Sequence, residues 1–470
     1  MIKFGTGGWR AIIGDEFTKS NVQILTRALA KMMKDEGKSD NGICIGYDRR
    51  FLSLQSARWA AEVMAAENIH CRILDREAPT PLIMFTVNMY DLHYGMAITA
   101  SHNPAIYNGI KVFTHGGRDA DETVTNKIEQ YIDKFNDVPV SIIEFNEAKK
   151  QGLIEEIDPF NEYIDSILDK VNTEAIMKSR MKITLDPMYG VSQTSLSTIL
   201  MTLRCELLVI HERHDTLFGG RLPAPNINTL SKLRNYVLEY NCDLGIATDG
   251  DADRIGVIDN NGDFLHPNEI LVLLYYYLMK YKGWRGPIVR NNSTTHILDR
   301  VAKDFGQQCY EVPVGFKHIS SKMTETDAII GGESSGGLTV KGHIHGKDGI
   351  YAAAFLVEMI AITGKSLSEL YSEITDQYGS LYFTEQNFTL TPKLKEDLAY
   401  KLFTEKLLPT FNYPVEKVSY IDGCKVYFEN GGWIIARFSG TEPLIRLFCE
   451  MPNKEMAEDV CKAMSNCLKL

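Results

Sequence analysis

The sequence has no C-x-x-C pair among its nine cysteines, and it lacks the cysteine and histidine spacing of a zinc site. The cysteines are Cys44, Cys71, Cys205, Cys242, Cys309, Cys424, Cys449, Cys461 and Cys467. An odd count without metal-ligand spacing argues against a disulfide framework and favours reduced thiols. We therefore expect a cytoplasmic protein in which most cysteines are part of the core.

Long apolar runs and a signal-peptide pattern are also missing. The start, "MIKFGTGG", does not pass from charged to apolar residues, and the longest apolar run, "ILVLLYYYLM" at 270–279, is shorter than the roughly 20 residues that span a bilayer. We expect no membrane partner.

Positively charged residues are the minority, since the chain has 50 Lys and Arg but 61 Asp and Glu, which gives a formal net charge of -11. Binding to a nucleic-acid backbone needs a basic face, so this balance argues against a nucleic-acid partner. A local group of arginines and lysines can still bind a small phosphorylated ligand. The carboxylates are available for a magnesium site.

The chain of 470 residues is longer than one hydrophobic core usually organises. Helical and strand patterns alternate through the first three quarters, which predicts three similar α/β domains with parallel or mixed sheets. From about 380 short strands dominate, with helices near 391–408 and 453–468, which predicts a smaller α+β domain. The predicted domains are 1–150, 151–258, 259–375 and 376–470.

The sharpest local pattern is "TDGDADRIG", in which Asp249, Asp251 and Asp253 lie between two predicted strands. Three carboxylates at this spacing on a tight loop converge, which suits Mg²⁺ or Ca²⁺. An EF-hand is excluded, because its sixth position would be Arg254 and its twelfth Asn260. An ordinary acidic turn is the alternative, although three packed carboxylates repel one another unless a cation neutralises them.

A serine follows the predicted strand in "ITASHNPAIYNGIK", where Ser101, His102 and Asn103 precede Pro104. By itself this stretch fits a strand-to-helix connection, with serine as the helix cap and proline in the first turn. It equally fits a loop that presents a serine for chemistry. We expect the loop to be surface-accessible.

Two further loops have the residue types of ligand sites. In "RFSGTEPLIR", the Ser439, Gly440 and Thr441 loop lies between Arg437 and Arg446, an arrangement suited to phosphate oxygens. A hairpin turn with surface arginines is the alternative.

The second loop is "GGESSGG" at 331–337, in which Gly332 allows close approach of a ligand while Glu333 and Ser335 suit sugar hydroxyls. It reads equally well as a flexible loop. Lys317 and Lys347 lie on nearby segments of the sequence.

Together these motifs resemble those of the α-D-phosphohexomutases. T-A-S-H-N-P at 99–104, D-G-D-A-D-R at 249–254, G-G-E-S-S-G at 331–336 and S-G-T-E-P at 439–443 occur in the family's order, and the opening "FGTGGWR" is similar to its N-terminal signature. The resemblance implies four domains around a central cleft, with one loop from each domain.

The resemblance also implies the chemistry. Ser101 would carry a phosphoryl group, and the phosphoserine oxygen would complete a Mg²⁺ site with Asp249, Asp251 and Asp253. Phosphate would move between O1 and O6 of a hexose through glucose 1,6-bisphosphate, which serves as intermediate and activator. We expect a hexose phosphate as substrate and a monomer or weak homodimer.

Residue roles follow by similarity of position. The catalytic candidates are Ser101, His102, Lys111, Arg10 and Lys347. The substrate-binding candidates are Thr6, Arg254, Lys317, Gly332, Glu333, Ser335, Arg437, Ser439, Gly440, Thr441 and Arg446. Lys111 could shuttle a proton only if its surroundings lower its pKa. His102 could assist catalysis or orient the serine loop.

The sugar is the open question. Mannose-handling members commonly have His directly after the S-G of the sugar loop, where this chain has Gly337, and Lys347 resembles the lysine of the glucose-specific branch. We expect a phosphoglucomutase. The alternatives are a phosphomannomutase or dual-specificity mutase, and a phosphoglucosamine mutase or phosphopentomutase. Two other classes are a serine-dependent metal phosphohydrolase and a sugar-phosphate sensor without turnover.

Overall fold

The computed structural model describes residues 2–5, 7–135, 138–439 and 443–470. The chain forms two compact units, one of Met1–Leu274 with Ile330–Glu369 and the other of Tyr275–Ile329 with Leu370–Leu470. Helices and strands alternate along most of the chain, which confirms the predicted α/β class.

The first unit begins with a mixed sheet. Its strands are β1 (Trp9–Ile12), β2 (Ile43–Tyr47), β3 (Cys71–Leu74), β4 (Tyr94–Ile98), β5 (Tyr107–Thr114), β6 (Arg118–Asp119) and β7 (Ile154–Ile157). The helices are α1 (Lys19–Asp35), α2 (Ser53–Ala66), α3 (Thr80–Met89), α4 (Glu122–Phe135) and α5 (Phe145–Lys150). The order is β1-β5-β4-β2-β3-β7, and β6 pairs with β5. Because β2 and β4 are parallel neighbours, the segments that follow them start at the same edge of the sheet.

A second sheet follows in the same unit. Its elements are α6 (Phe160–Leu168), α7 (Thr173–Ser179), β8 (Lys182–Asp186), α8 (Ser192–Thr202), β9 (Glu206–Val209), α9 (Ser231–Glu239), β10 (Leu244–Thr248), β11 (Ile255–Asp259) and β12 (Phe264–Leu265). The order is β12-β11-β10-β8-β9. The antiparallel pair of β10 and β11 encloses the aspartate loop.

The chain then passes between the units three times, within two helices and at the start of one strand. The elements of this region are α10 (Pro267–Lys280), β13 (Ile288–Asn291), α11 (Ile297–Asp304), β14 (Cys309–Val312), α12 (Phe316–Thr326), β15 (Ile330–Gly332), β16 (Leu338–Val340), α13 (Gly349–Thr363) and α14 (Leu367–Tyr378). In the second unit β13 and β14 pair in parallel. In the first unit the antiparallel pair of β15 and β16 encloses the predicted sugar loop.

The C-terminal part of the second unit is sheet-rich, as predicted. Its elements are β17 (Tyr382–Thr389), α15 (Pro392–Ala399), β18 (Val415–Ser419), β19 (Cys424–Phe428), β20 (Trp433–Phe438), β21 (Leu444–Met451) and α16 (Lys454–Leu468). The antiparallel order is β17-β21-β20-β19-β18. The helix predicted over 391–408 is shorter, because α15 ends at Ala399 and a π-helical turn, Tyr400–Thr404, follows.

Burial explains why the central strands form. All residues of β2, β4, β10 and β11 are buried, which is the pattern of strands covered on both faces. All nine cysteines are free thiols and seven are buried, in agreement with the predicted core role. Among the described residues no single helix has the length and hydropathy of a membrane span, whereas α13 and α14 meet that test as a pair bent by 79°.

Candidate active site

The predicted serine lies on the loop between β4 and β5. Because the strand β5 follows Pro104, the alternative of a strand-to-helix connection is wrong. Ser101 has a left-handed backbone with φ of 51°, which costs a non-glycine residue about 1–3 kcal/mol and requires support from its surroundings. The prediction of an accessible loop is also wrong at this residue, since only 1% of Ser101 is exposed.

Arg50 provides that support, and sequence reasoning missed it. Its buried guanidinium donates to four carbonyl oxygens of the serine loop, those of Ser101 (2.6 Å), Asn103 (2.7 Å), Pro104 (2.9 Å) and Tyr107 (3.0 Å). Arg50 follows β2 and Ser101 follows β4. Because these strands are parallel neighbours, both residues lie at the same edge of the sheet. The motif "YDRR" directly after a buried strand is the signal that could have identified it.

The aspartate loop contacts the serine directly. The Ser101 hydroxyl donates to Oδ2 of Asp249 at 2.7 Å. Ligand atoms of Asp249, Asp251 and Asp253 all lie within 4.8 Å of one another, and all three residues are buried. Gly250 permits this approach, because a Cβ there would lie 2.8 Å from the carbonyl oxygen of Ser101.

Two lysines lie against these carboxylates. Nζ of Lys111 donates to Oδ2 of Asp251 and Oδ2 of Asp253, each at 2.6 Å. Nζ of Lys347 lies 2.9 Å from the same oxygen of Asp253. The cations offset the repulsion within the triad, so the cluster is more than an acidic turn.

The carboxylates still have unused acceptor capacity. Among the described residues, Oδ1 of Asp251 and Oδ1 of Asp253 are buried without a hydrogen-bond partner. Buried polar atoms of this kind are rare and costly unless a ligand or water satisfies them. Three carboxylates that converge beside a hydroxyl form an oxygen donor set of the kind Mg²⁺ prefers, so these residues fit that ion.

The electrostatics of the cluster keep Lys111 charged. Burial is the largest single influence and lowers the pKa of Lys111, but the combined attraction of Asp251, Asp253 and Asp119 outweighs it, so the net shift is upward. Burial raises the pKa of Asp253, and attraction by Lys111 and Lys347 outweighs it, so that pKa lies well below its usual range. This upward shift is opposite in direction to the lowered pKa that a proton shuttle needs at neutral pH.

Arg10 contacts the serine loop, and His102 is the loop residue that follows Ser101. Nη1 of Arg10 donates to Oδ1 of Asn103 at 2.5 Å. Nδ1 of His102 lies 3.3 Å from Oγ of Ser101. Burial, and then the positive charges of Arg254 and Arg10, hold the pKa of His102 well below its usual range. The imidazole is thus neutral at pH 7.

The predicted sugar loop joins the aspartate loop within the first unit. The N–H of Ile255 donates to the carbonyl of Gly336 at 3.2 Å, and the backbones of Arg254 and Gly337 form an isolated antiparallel β-bridge. Gly332 ends β15, Glu333 is buried and Ser335 is exposed. A Cβ on Gly337 would lie 2.5 Å from Cδ of Lys347, so the lysine stem occupies the space of a side chain at 337.

Other predicted binding residues belong to the second unit. Nε of Arg437 donates to both carboxylate oxygens of Asp422, at 3.0 and 3.1 Å. Nη1 of Arg446 lies 3.3 Å from Oε1 of Glu385. Ser439 directly follows β20 and is buried, and Lys317 is the second residue of α12 and is partly buried. The predicted residues Thr6, Gly440 and Thr441 lie outside the described residues.

Thr80 and Asp119 are further residues that the sequence did not reveal. Thr80 begins α3, and its hydroxyl donates to Oδ2 of Asp251 at 2.8 Å. Burial raises the pKa of Asp119, while Lys347 and Lys111 oppose that shift, so its carboxyl belongs to the same charge cluster. Neither residue is part of a recognisable motif, because tertiary contacts bring both of them to the cluster.

Comparison with known proteins gives matches along the chain. Four family models match, namely phosphoglucomutase/phosphomannomutase alpha/beta/alpha domain I at 1–138, domain II at 161–262, domain III at 266–378 and the C-terminal domain at 395–466. The more detailed domain boundaries at 150, 258 and 375 stay a prediction.

Individual relatives match over nearly their whole length. A phosphoglucomutase/phosphomannomutase of Thermococcus kodakarensis is 30% identical, over 97% of this chain and 96% of the relative. A phosphoglucosamine/phosphogalactosamine mutase of Sulfurisphaera tokodaii is 29% identical, over 97% of each chain. A crystal structure described as that of a phosphomannomutase from Thermus thermophilus is 27% identical and has a TM-score of 0.85, over 100% of this chain and 99% of that one.

Proposed function

Because the chain belongs to the phosphoglucomutase/phosphomannomutase family, an enzyme family of phosphohexomutases, we propose that it interconverts glucose 1-phosphate and glucose 6-phosphate. The proposed route uses a phosphoserine at Ser101 and a glucose 1,6-bisphosphate intermediate.

The observation that carries the proposal is the position of one hydroxyl. Oγ of Ser101 lies 2.7 Å from Asp249 in a cluster that also buries Lys111 and Lys347. A serine with only a structural role needs neither the strained backbone nor two buried lysines. A serine that exchanges phosphoryl groups needs cations and a fixed orientation, because positioning and charge stabilisation supply most of the rate in phosphoryl transfer.

Asp249, Asp251 and Asp253 would hold Mg²⁺, which when bound offsets negative charge on the transferring phosphoryl group. Lys111 would remain a cation beside the same phosphoryl group. Arg50 would hold the backbone of the serine loop, so that the hydroxyl is aligned before the sugar binds.

In the proposed cycle, the bond between phosphorus and Oγ of Ser101 breaks as the free hydroxyl oxygen of a glucose monophosphate bonds to phosphorus. That hydroxyl loses its proton, and Oγ of Ser101 gains one. The resulting 1,6-bisphosphate then returns its other phosphoryl group to Ser101. Glu333 would bind sugar hydroxyls, and Arg437 would bind the phosphate that is not transferring.

The preference for glucose depends on Gly337 and Lys347. The stem of Lys347 lies 2.5 Å from where a Cβ at position 337 would be, so a histidine there, as in mannose-handling members, would require Lys347 to move. Glucosamine phosphate is the second candidate substrate, because the Sulfurisphaera tokodaii relative of similar identity is a phosphoglucosamine/phosphogalactosamine mutase.

A comparison of substrates tests the proposal. The protein, primed with a trace of glucose 1,6-bisphosphate in excess Mg²⁺, should convert glucose 1-phosphate to glucose 6-phosphate faster than it converts mannose, glucosamine or ribose phosphates. Faster turnover of glucosamine phosphate would replace the glucose assignment. A preparation that converts none of these compounds would disprove the mutase function.

A covalent test separates the mutase from the two other classes, a phosphohydrolase and a sensor without turnover. Intact-protein mass spectrometry should show the gain of one phosphate after exposure to the bisphosphate, and peptide mapping should locate it on Ser101. A sugar-phosphate sensor would remain unmodified. A phosphohydrolase would release more inorganic phosphate than isomerised sugar.

A further inference from the structure

Two arginines face each other at the predicted phosphate loop of the second unit. Arg437 of β20 and Arg446 of β21 are direct cross-strand partners. Like charges in this position destabilise a strand pair, unless anions neutralise them. Glu385 lies beside Arg446, and Asp422 lies beside Arg437.

Asp422 occupies the turn between β18 and β19, and this turn fits closely against the strand of Arg437. The next residue, Gly423, has φ of 95°. A Cβ at Gly423 would lie 2.8 Å from the carbonyl oxygen of Ala436 and 3.2 Å from Cβ of Arg437. The turn therefore tolerates only glycine after Asp422, and this close packing sets the position of the carboxylate.

The same carboxylate binds a second segment of the unit. The N–H of Val314 donates to Oδ2 of Asp422 at 2.7 Å. Nδ2 of Asn292 donates to the carbonyl oxygen of Asp422 at 3.0 Å. Asp422 thus connects Arg437 to the segment that leads into α12, which begins with Phe316 and Lys317.

We propose that Asp422 is a positioning residue that fixes the guanidinium plane of Arg437 for phosphate binding. This inference rests on the proposed function, in which Arg437 binds the phosphate that is not transferring. Asp422 accepts hydrogen bonds from Nε of Arg437. The two terminal nitrogens of an arginine can bind phosphate in a bidentate manner. A carboxylate at Nε therefore orients the terminal nitrogens without competing for them.

Substitutions at 422 test the role through the Michaelis constant. Asp422→Ala should raise KM for glucose 1-phosphate about tenfold with kcat within about twofold, because it removes a hydrogen bond to a charged group. Asp422→Asn should restore most of the affinity, since an amide oxygen at the Oδ2 position can still accept from Arg437 and Val314. Asp397→Ala, which breaks an exposed ion pair with Lys401, is the matched control and should leave KM unchanged.

A double-mutant cycle shows whether Asp422 acts through Arg437. The Asp422→Ala, Arg437→Ala double variant should have the same KM as Arg437→Ala alone. Calorimetric titration with inorganic phosphate should show the same coupling without turnover. Additive losses, or an unchanged KM in Asp422→Ala accompanied only by a lower Tm, would overturn the positioning role. Absence of turnover by the wild type, with the coupling intact in phosphate titrations, would instead refute the proposed function and leave this inference standing.

Discussion

Each of the two compact units buries a lysine next to carboxylates, with opposite electrostatic results. In the first unit, Lys111 contacts both Asp251 and Asp253, and their attraction raises its pKa despite burial. In the second unit, Lys425 contacts Glu311 at 2.7 Å. Burial, together with the charge of nearby Arg290, lowers the pKa of Lys425 to about 7.

The aspartate triad and the second cluster, formed by Lys425, Glu311, Arg290 and Asp299, also differ in how many carboxylate oxygens have hydrogen-bond partners. Glu311 accepts from Tyr427 through one oxygen and from Lys425 and Arg290 through the other, and Asp299 accepts from Arg290 through both oxygens. The triad of the first unit has two buried oxygens without a partner among the described residues. Buried charge alone therefore does not mark a reactive site. Buried acceptor atoms without a partner, beside a hydroxyl on a strained backbone, are the better indicator of a reactive site.

The largest expected effect is that of Ser101→Ala. Because it removes the proposed phosphoryl acceptor, turnover of glucose 1-phosphate should fall by a factor of about 10⁴ or more. The Tm should change by only a few degrees, since the substitution removes one hydroxyl.

Ser166→Ala is the control for Ser101→Ala, because the Ser166 hydroxyl donates to the carbonyl of Tyr163 within its own helix α6. It should retain wild-type turnover. Full activity in Ser101→Ala would show that another group carries the phosphoryl.

Removal of Mg²⁺ should affect the aspartate triad of the first unit and leave the Glu311 cluster of the second unit unchanged. Chelation should abolish turnover, and adding Mg²⁺ back should raise Tm by several degrees, because an ion that binds only the folded state stabilises it by about 2.7 kcal/mol at 100 times its Kd. Asp251→Asn should lose this shift in a thermal melt.

Glu311→Gln in the second unit is the matched variant. Its own Tm should be lower, but the Mg²⁺-dependent shift should persist. Loss of that shift in Glu311→Gln, with retention in Asp251→Asn, would reverse the assignment of the metal site.

The third effect concerns the support of the serine loop. Arg50→Lys should lower kcat about 10- to 100-fold, because an ammonium group cannot reach four carbonyl oxygens at once. The free energy of unfolding should fall by about 2 kcal/mol, since buried carbonyls lose donors. Steady-state kinetics and urea denaturation measure the two quantities.

Arg49→Lys is the neighbouring control, since among the described residues Arg49 donates to one carbonyl, that of Glu212 at 3.1 Å, and lies 3.8 Å from Glu77. Its kcat should stay within about threefold of wild type. Equal losses in both variants would mean that Arg50 has no special role in the loop.

The sequence predicted the parts of the site that one contiguous loop supplies. The three aspartates, the strands on both sides of them and the class of the fold could be predicted because spacing and periodicity are local properties. Thr80 could not, since only the order of the parallel strands brings it to the cluster, and for Arg50 the one local signal was the motif "YDRR" after a buried strand. The early end of α15 was also missed, because the helical spacing of Leu394, Leu398 and Leu402 continues through the π-helical turn.

The smallest expected effect is in the second cluster, where Lys425→Met should leave the protein as stable as wild type or more stable by about 2 kcal/mol at pH 6. Nζ of Lys425 lies 4.4 Å from the ring centre of Trp433 and 4.7 Å from that of Tyr427, so an apolar side chain fits between the rings. Glu311 keeps Arg290 as its partner, and replacing a buried ion of this kind is often neutral or stabilising.

The pH dependence gives this last prediction a definite sign. The folded-state pKa of Lys425, about 7, lies below the ordinary lysine value of 10.5. Between these two pH values the unfolded chain holds a proton that the folded chain lacks, so the free energy of unfolding of the wild type rises with pH. The advantage of Lys425→Met in urea denaturation should thus be greatest at pH 6 and shrink towards pH 9. Lys401→Met, at an exposed ion pair, should show no such trend. A Lys425→Met variant that is less stable than wild type at pH 6 by more than about 2 kcal/mol would mean that the ion pair itself stabilises the second unit.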